Sequence, residues 1–218
     1  EIRPRDWSSD VCSSDLGTRG KSTTVRMIAA GLRASGRRVL AKTTGSEPRL
    51  ILPDGSEVAW PRRGAANIRE QIRLFAKAVE FGADTVVVEC MAVRPEFVWA
   101  SEALLVRATT TVITNARSDH YEEIGEAPGA AATALSWAMP ERATAIVAAE
   151  ATGPEIRAAA QRCGTTLTTV ETAGLTPAAA NRALALAVCA AHGVAPDVAG
   201  PEADAIAPDP GAFFAREV

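Results

Sequence analysis

The sequence predicts an α/β fold in which helices cover both faces of a mostly parallel sheet. Three observations support this prediction. A glycine loop that ends in Lys-Ser, residues 17–23 (GTRGKST), is followed at once by a helical pattern, as in phosphate-binding loops. Helix and strand patterns alternate along the rest of the chain. Two β-branched runs, at 84–89 and 108–115, are typical of strands that are buried on both faces.

Between the loop and residue 84, the pattern predicts a helix, a strand, a hairpin and a second helix. Apolar residues recur at helical spacing from Val25 to Leu32, and Gly36 ends that helix. A short strand follows at 38–41, and 49–60 predicts a hairpin that turns at Pro-Asp-Gly-Ser. Four apolar residues mark the second helix, which ends at a glycine: Ile68, Ile72, Ala76, Val79 and then Gly82.

The second half continues the alternation and then changes in composition. The predicted elements are a small-residue helix at 128–139, a strand at 144–149, a helix opened by Gly153-Pro154, a strand at 165–170, and a helix from Thr176-Pro177 to about Gly193. Proline at the first helical position is favoured. From residue 194 the chain is rich in Pro, Ala and Asp. We therefore predict an ATP-binding domain at 17–194 and a linker toward a missing C-terminal region at 195–218.

Residues 1–16 (EIRPRDWSSDVCSSDL) do not fit this pattern. A phosphate-binding loop needs a buried strand before it, whereas this segment is polar and rich in serine. Residues 6–16 match the translation of a short-read sequencing adapter, and residues 1–5 fit its flanking barcode. We interpret 1–16 as a non-native, adapter-encoded segment rather than a disordered N-terminal arm. We expect the native first strand to be missing and residues 1–16 to make no specific contacts.

Composition and charge narrow the class of protein. Residues 17–117 carry 16 basic and 9 acidic side chains, which suits ATP and an anionic second substrate, although solvated helix faces would explain much of this excess. Aromatic residues make up 5% of the chain and are not interleaved with basic ones, which disfavours single-stranded nucleic acid. Cys90, Cys163 and Cys189 lack metal-like spacing and indicate a reducing, cytoplasmic location.

The glycine loop carries the strongest functional signal. Its glycines allow backbone N–H groups to converge on a phosphate, and the following helix N-terminus favours negative charge there. Lys21 can reach the β- and γ-phosphates, and the Ser22 hydroxyl can ligate Mg²⁺. The alternative is a glycine turn that caps an ordinary helix, but Lys-Ser-Thr directly after glycine favours phosphate binding. We predict that a nucleoside triphosphate binds the whole loop: Gly17, Thr18, Arg19, Gly20, Lys21, Ser22 and Thr23.

Polar residues follow two of the predicted buried strands. Ligands of an open parallel sheet bind beyond the carboxyl ends of its strands, where Glu89 and Asn115 stand, with His120 close behind. A carboxylate there is a natural Mg²⁺ ligand, although Glu89 could instead cap a helix or form a salt bridge. A lone histidine is more often structural, but its place after a buried strand makes His120 a candidate site residue.

Together these residues resemble the central ATPase domain of the Mur-ligase superfamily. The motifs are the loop at 17–23, Glu89, and residues 114–120 (TNARSDH). Further segments are similar to the poly-γ-glutamate synthase ligases, a branch of capsule biosynthesis: 41–45, 48–57, 66–71, 89–96 and 207–211. The resemblance implies an ATP-dependent ligase that adds glutamate to a poly-γ-glutamate chain.

The resemblance also implies roles for individual residues. In the mechanism that it implies, ATP phosphorylates a glutamate γ-carboxylate, and the amine of the next glutamate attacks the acyl phosphate. The implied catalytic residues are Lys21, Glu89 and His120. Mg²⁺ is implied to be held by Ser22, Glu89 and His120, with Asn115 at the nucleotide. Basic side chains that could bind glutamate carboxylates, each as readily an ordinary surface charge, are Lys42, Arg49, Arg62, Arg63 and Arg94; of these Arg94 follows Glu89 most closely.

One departure from the family pattern favours the poly-γ-glutamate branch. Mur ligases that build peptidoglycan usually carry a lysine, carbamylated in the active enzyme, after the Asp-His motif, and here no lysine follows His120. Other Mur-like ligases, such as a folylpolyglutamate type, and a P-loop regulatory ATPase stay open. The implied partners are glutamate, its polymer and membrane-bound synthase subunits. Without its native first strand and a C-terminal region, this chain is expected to bind ATP weakly and to make no polymer.

Overall fold

We describe the fold from a computed structural model, which describes residues 10–17, 20–44, 47–62, 66–116, 127 and 129–207. In this part of the chain the strands are β1 Asp10–Leu16, β2 Val39–Lys42, β3 Arg49–Ile51, β4 Glu57–Ala59, β5 Thr85–Glu89, β6 Thr110–Ile113, β7 Thr144–Ala148 and β8 Thr166–Val170. They form one sheet in the order β4-β3-β2-β5-β1-β6-β7-β8. Neighbours are parallel except in the hairpin, where β3 pairs antiparallel with β2 and β4.

The described helices are α1 Lys21–Ala34, α2 Glu70–Glu80, α3 Pro95–Trp99, α4 Ala130–Ser136, α5 Pro154–Cys163, α6 Pro177–Ala191 and α7 Pro196–Asp204. A π-helix at Ala100–Val106 continues α3. The predicted α/β class is confirmed, as are the hairpin and the helices that open at Pro154 and Pro177. Within the described ranges, no helix combines the length and the apolar character needed to cross a membrane.

Alternation along the central strands divides the core into two layers. Val39 and Ala41 of β2 belong to a large apolar cluster with α1 and α6, whereas Leu40 between them belongs to a smaller cluster with α2. Residues two apart on a strand point to the same face of the sheet. Helices therefore cover both faces, and the loops at the carboxyl ends of the parallel strands are left to form a site.

The prediction that residues 1–16 make no specific contacts is wrong for Asp10–Leu16. These residues form β1, the central strand, which pairs parallel with β5 on one side and with β6 on the other. The β5 pairing shifts register between Val11 and Ser14. Strand pairing uses backbone N–H and C=O groups, which any segment before the loop can supply. Without a strand in this place, the facing backbone groups of the buried strands β5 and β6 would be unpaired. Residues 1–9 lie outside the described residues.

The predicted linker at 195–218 begins with a helix instead. Pro196–Asp204 forms α7, which packs against α1 and α6. Ala199 and Ala203 are buried in the large apolar cluster. The small residues that indicated a linker are thus the ones that allow this helix to pack closely. Residues 208–218 lie outside the described part of the chain.

Gly31 lies at a close approach of three helices. A Cβ on this residue of α1 would lie 2.7 Å from Cys189 Sγ of α6 and 3.0 Å from Ala199 Cβ of α7, inside the optimal separation of about 3.5–4.0 Å. Burial raises the pKa of Cys189 to about 12, so the thiol stays protonated and packs as a small apolar group. Glycine is therefore required here by space, because its φ is not in the left-handed region.

We expect Gly31→Ala to lower the midpoint of thermal unfolding. Alanine is the better helix former by about 1 kcal/mol, but overpacking a core costs about 1–3 kcal/mol, since Cys189 and Ala199 must move. Circular dichroism during heating measures the midpoint. Ala34→Gly, at the exposed end of α1, isolates the helix-propensity contribution. A higher midpoint for Gly31→Ala than for the unmodified chain would contradict the prediction.

The apolar spacing that predicted the second helix does not mark its buried face. Ile72 is 55% exposed and Val79 is 50% exposed, whereas α2 turns Glu70 and Leu74 toward the sheet. Lys42 of β2 is fully buried beneath α2 and pairs with Glu70. The orientation of α2 therefore satisfies two requirements: its apolar contacts with the sheet and the pairing of the buried Lys42 with Glu70.

Candidate nucleotide and metal site

The glycine loop begins where β1 ends and runs into α1. Gly17 and Gly20 have φ values of +141° and +85°, a conformation that residues with a side chain rarely adopt. Space also disfavours a side chain at both positions. A Cβ on Gly17 would overlap Thr114 Oγ1, and a Cβ on Gly20 would lie 2.5 Å from Asn181 Oδ1. The loop is thus held tightly between the end of β6 and the start of α6.

Lys21 is the first residue of α1 and turns back over the loop. Its Nζ donates a hydrogen bond to the Gly17 carbonyl oxygen at 2.7 Å. The ammonium group therefore lies on the loop itself, and its role at the phosphates stays a prediction. In that position, phosphate oxygens can replace the carbonyl as acceptors.

Ser22 and Glu89 meet although they are 67 residues apart in the chain. The Ser22 Oγ donates to Glu89 Oε2 at 2.7 Å, and the backbone N–H of Thr44 donates to the same oxygen at 2.7 Å. Glu89 ends β5 and is only 3% exposed. Two of the three predicted metal ligands are therefore in contact, beside the glycine loop.

Two asparagines border the loop, of which the sequence indicated one. Asn115 follows β6, is buried, and has its backbone 3.1 Å from where a Cβ on Gly17 would stand. Asn181 of α6 contacts Gly20 from the other side. Sequence reasoning missed Asn181 because α6 is remote from the loop in the chain. Its signal was a polar side chain within an alanine-rich helix.

Several predicted site residues lie outside the described residues: Thr18, Arg19, Arg63 and His120. Their roles stay predictions. Arg94 stands at the N-terminus of α3 and is exposed. Arg49 is paired at the surface with Glu47, with 2.6 Å between the guanidinium and the carboxylate.

Lys42 does not reach the surface. Its side chain is fully buried, and its Nζ lies 3.0 Å from Glu70 Oε2. The carboxylate that Lys42 holds is therefore Glu70 of the chain itself, which corrects the prediction that it binds a substrate carboxylate. The physical reason is that a lysine on a strand covered by a helix has to be paired to be buried.

Lys42 belongs to a cluster that also includes Glu70, Arg62 and Trp60. Arg62 Nε lies 3.0 Å from Glu70 Oε1, and Lys42 Nζ lies 5.3 Å from the centre of the Trp60 ring. Burial lowers the pKa of Lys42 below the ordinary lysine value, and the bond to Glu70 opposes that shift. Burial alone would raise the pKa of Glu70, but its contacts with Lys42 and Arg62 hold it below the ordinary value.

The residues at the loop fit a triphosphate with a magnesium ion. The Ser22 hydroxyl and the Glu89 carboxylate are oxygen ligands of the kind that Mg²⁺ prefers. The Lys21 ammonium and the start of α1 both favour negative charge at the loop. Ser22 and Glu89 are the described residues that would hold the metal, and Lys21 is the one that would face the phosphates.

Comparison with known families and proteins agrees with this geometry. A family model described as the Mur ligase middle domain matches residues 17–187. PGA synthase CapB of Bacillus subtilis is 35% identical over 126 residues, and capsule biosynthesis protein CapB of Bacillus anthracis is 31% identical over 126 residues. These alignments cover 57% of this chain but 32% and 27% of the two relatives. The chain thus spans about a third of the curated relatives that it matches.

Solved structures share the fold at low sequence identity. FolC of E. coli in complex with DHPP and ADP superposes with a TM-score of 0.67 at 18% identity, covering 96% of this chain and 60% of that one. A Mycobacterium tuberculosis folylpolyglutamate synthase complexed with ADP and AMPPCP gives 0.68 at 19%, covering 93% and 60%. The family match itself spans most of the chain and includes the loop and Glu89. The chain therefore belongs to the Mur ligase family and contains its middle domain.

Proposed function

We propose that this chain is the ATP-binding part of an ATP-dependent amide ligase that adds glutamate to a poly-γ-glutamate chain. The observation that carries the proposal is the contact between Ser22 and Glu89 beside a loop that already holds Lys21. Family membership supports the ligase class. The similarity to two CapB proteins supports the polymer, and the described cysteines are free, which suits the predicted cytoplasmic location.

In this proposal each residue at the loop has one task. Lys21 orients the γ-phosphate and offsets its charge during transfer to a glutamate γ-carboxylate. Ser22 and Glu89 hold Mg²⁺, which neutralises phosphate oxygens when bound. The amine of the incoming glutamate then attacks the carbonyl carbon of the acyl phosphate. The new C–N bond forms as the C–O bond to phosphate breaks, and the amine loses a proton.

Further parts of the proposal concern what surrounds this domain. The described fold, from the strand Asp10–Leu16 to the helix Pro196–Asp204, would be the nucleotide-binding domain of a longer ligase, with His120 as a further Mg²⁺ ligand and Arg94 at a glutamate carboxylate. A second substrate has to be held in near-attack geometry for amide formation. A C-terminal region would help to form that half of the cleft, and membrane-bound synthase subunits would receive the product.

The experiment compares nucleotide binding with turnover. We expect the purified chain to bind a fluorescent ATP analogue in a Mg²⁺-dependent manner but to make no amide product. A version of the protein extended by the genomic sequence on both sides is expected to release ADP only when glutamate is present. Release of ADP is measured by a coupled assay, and the amide product by mass spectrometry.

The possible outcomes separate the competing functions. ADP release that does not depend on glutamate would indicate a regulatory ATPase. Turnover with a folate derivative rather than with glutamate oligomers would indicate a folylpolyglutamate-type ligase. Glutamate-dependent amide formation by the 218-residue chain alone would contradict the proposal that a further region is needed. Absence of Mg²⁺-dependent nucleotide binding in both proteins would overturn the proposal as a whole.

A further inference from the structure

Thr44 connects the candidate metal site to the cluster of buried charges. Its backbone N–H donates to Glu89 Oε2 at 2.7 Å, the oxygen that also accepts from Ser22. Its carbonyl oxygen accepts from both terminal nitrogens of Arg62 at 3.4 Å. One peptide unit on either side of a single residue is thus tied to the Glu89 carboxylate and to the Arg62 guanidinium.

Arg62 is itself held by a carboxylate with both of its oxygens engaged. Glu70 Oε1 lies 3.0 Å from Arg62 Nε, and Glu70 Oε2 lies 3.0 Å from Lys42 Nζ. Lys42 belongs to β2 and Glu70 to α2, two elements of the core. Because each oxygen of the Glu70 carboxylate is held by a cation, the carboxylate has a fixed position. The hydrogen bonds of a guanidinium group depend on direction, so the Arg62 guanidinium has little freedom to rotate.

The neighbouring residue of Thr44 is fixed by different bonds. The backbone N–H of Thr43 donates to the Arg49 carbonyl at 2.9 Å, and the Arg49 N–H donates to Thr43 Oγ1 at 3.1 Å. Thr43 is thus part of the extended pairing of β2 with β3. Thr44, one residue further, is held by Arg62 and Glu89, so this pair of contacts determines where its N–H points.

Stability alone does not explain a fully buried lysine at this place. Apolar residues of similar volume often serve at least as well as a buried ion pair, because removing charges from water is costly. Lys42 is 0% exposed and Glu70 is 8% exposed. Arg62, at the edge of this cluster, contacts Thr44, and Thr44 contacts the Glu89 carboxylate. In the proposed function Glu89 binds the metal, so a fixed orientation of this carboxylate has a use.

We infer that Arg62 and Glu70 are positioning residues that orient the Glu89 carboxylate through the backbone of Thr44. The inference deepens the proposed function, on which its metal-binding part rests. Partners of this kind around a metal ligand typically contribute about 10–100-fold to metal affinity or activity. Neither residue touches the nucleotide or the metal in this role.

The test uses Arg62→Met, which removes the donors to Thr44 but leaves the pair between Lys42 and Glu70 intact. Hydrogen exchange of single backbone amides, followed by NMR on the 218-residue chain, measures how well the Thr44 N–H is held. We expect its exchange to accelerate about 10-fold or more, since its bond to Glu89 opens more often. The Thr43 amide, bonded to Arg49 within the sheet, serves as an internal reference and is expected to keep its rate.

A second readout is the Mg²⁺ concentration for half-maximal binding of the fluorescent ATP analogue. We expect it to rise about 10-fold in Arg62→Met, with little change in the affinity measured at saturating Mg²⁺. Arg73→Met is the matched control. Arg73 lies over the Trp60 ring, 4.8 Å from its centre, and Lys42 approaches the same ring. None of the contacts described for Arg73 reaches Thr44. Glu70→Gln is expected to raise the Mg²⁺ requirement as well. If Glu70→Gln fails to fold, the test relies on Arg62→Met alone.

The outcomes separate this inference from the proposed function. Unchanged exchange of Thr44 in Arg62→Met would overturn the inference, and so would equal acceleration in Arg73→Met. A change confined to the glutamate dependence of ADP release, measured in the extended protein, would overturn the inference and assign Arg62 to the substrate instead. If no variant and no unmodified protein binds the analogue, the proposed function fails, and the Thr44 amide alone decides whether the positioning holds.

Discussion

Replacing Lys21 with alanine is expected to abolish nucleotide turnover and to weaken nucleotide binding more than any other single change at the loop. The Lys21 Nζ lies on the loop, 2.7 Å from the Gly17 carbonyl, where it would face the phosphates of a bound nucleotide. Loss of one preorganised group that stabilises charge typically lowers the rate by about 10²–10³-fold. Binding is measured by titration of the fluorescent ATP analogue, and turnover in the extended protein.

The fold is expected to tolerate this change. The bond from Lys21 to Gly17 contributes only about 0.5–1.5 kcal/mol to stability, so the unfolding midpoint should fall little. Lys77→Ala is the matched control, because Lys77 is an exposed lysine on α2 paired with Glu80. An analogue affinity in Lys21→Ala within twofold of the unmodified chain would remove Lys21 from the site.

Replacing Glu89 is expected to alter the dependence on Mg²⁺ rather than binding at saturating metal. Glu89→Ala removes the carboxylate that meets Ser22, and with it one of the two described residues that we propose hold the metal. It also leaves two partly buried donors, Ser22 Oγ and the Thr44 N–H, without their acceptor, at about 1–3 kcal/mol. Glu89→Gln keeps an acceptor oxygen for them and removes the negative charge, so it separates metal binding from folding.

We expect both variants to need at least about 10-fold more Mg²⁺ for half-maximal binding of the ATP analogue. Only Glu89→Ala should also lose several degrees of unfolding midpoint. Ser22→Ala offers a second test of the same pair and should shift the Mg²⁺ requirement in the same direction. Unchanged behaviour of Glu89→Gln at low Mg²⁺ would show that the carboxylate does not bind the metal.

Features with a local cause could be predicted from the sequence. The loop from Gly17 to Lys21 follows from glycine conformation and from the helix that begins at once. The strand at Thr85–Glu89 was predicted because its β-branched run is typical of burial on both faces, and all five residues are buried. The hairpin followed from its turn residues. The contact between Ser22 and Glu89 could be predicted from the topology of the sheet, since the carboxyl ends of parallel strands and the glycine loop lie at one edge of the sheet.

Features with a distant cause could not be predicted in this way. The prediction for residues 10–16 was wrong because the strand is recruited by the unpaired backbones of β5 and β6, not by its own composition. The predicted linker was wrong over Pro196–Asp204 because small residues become a packing surface only when α1 and α6 are beside them. Asn181 reaches Gly20 across the fold, with no spacing in the chain to indicate it.

The sequence by itself determined the class of fold, the glycine loop and the edge of the sheet at which a site would form. These follow from conformational preferences and periodicities that act over a few residues. Only the tertiary structure decided that Lys42 pairs with Glu70 instead of facing a ligand, and that Thr44 links this buried pair to Glu89. Burial of a charge and the partner that satisfies it depend on which distant segments cover it, and that information appears only when the chain has folded.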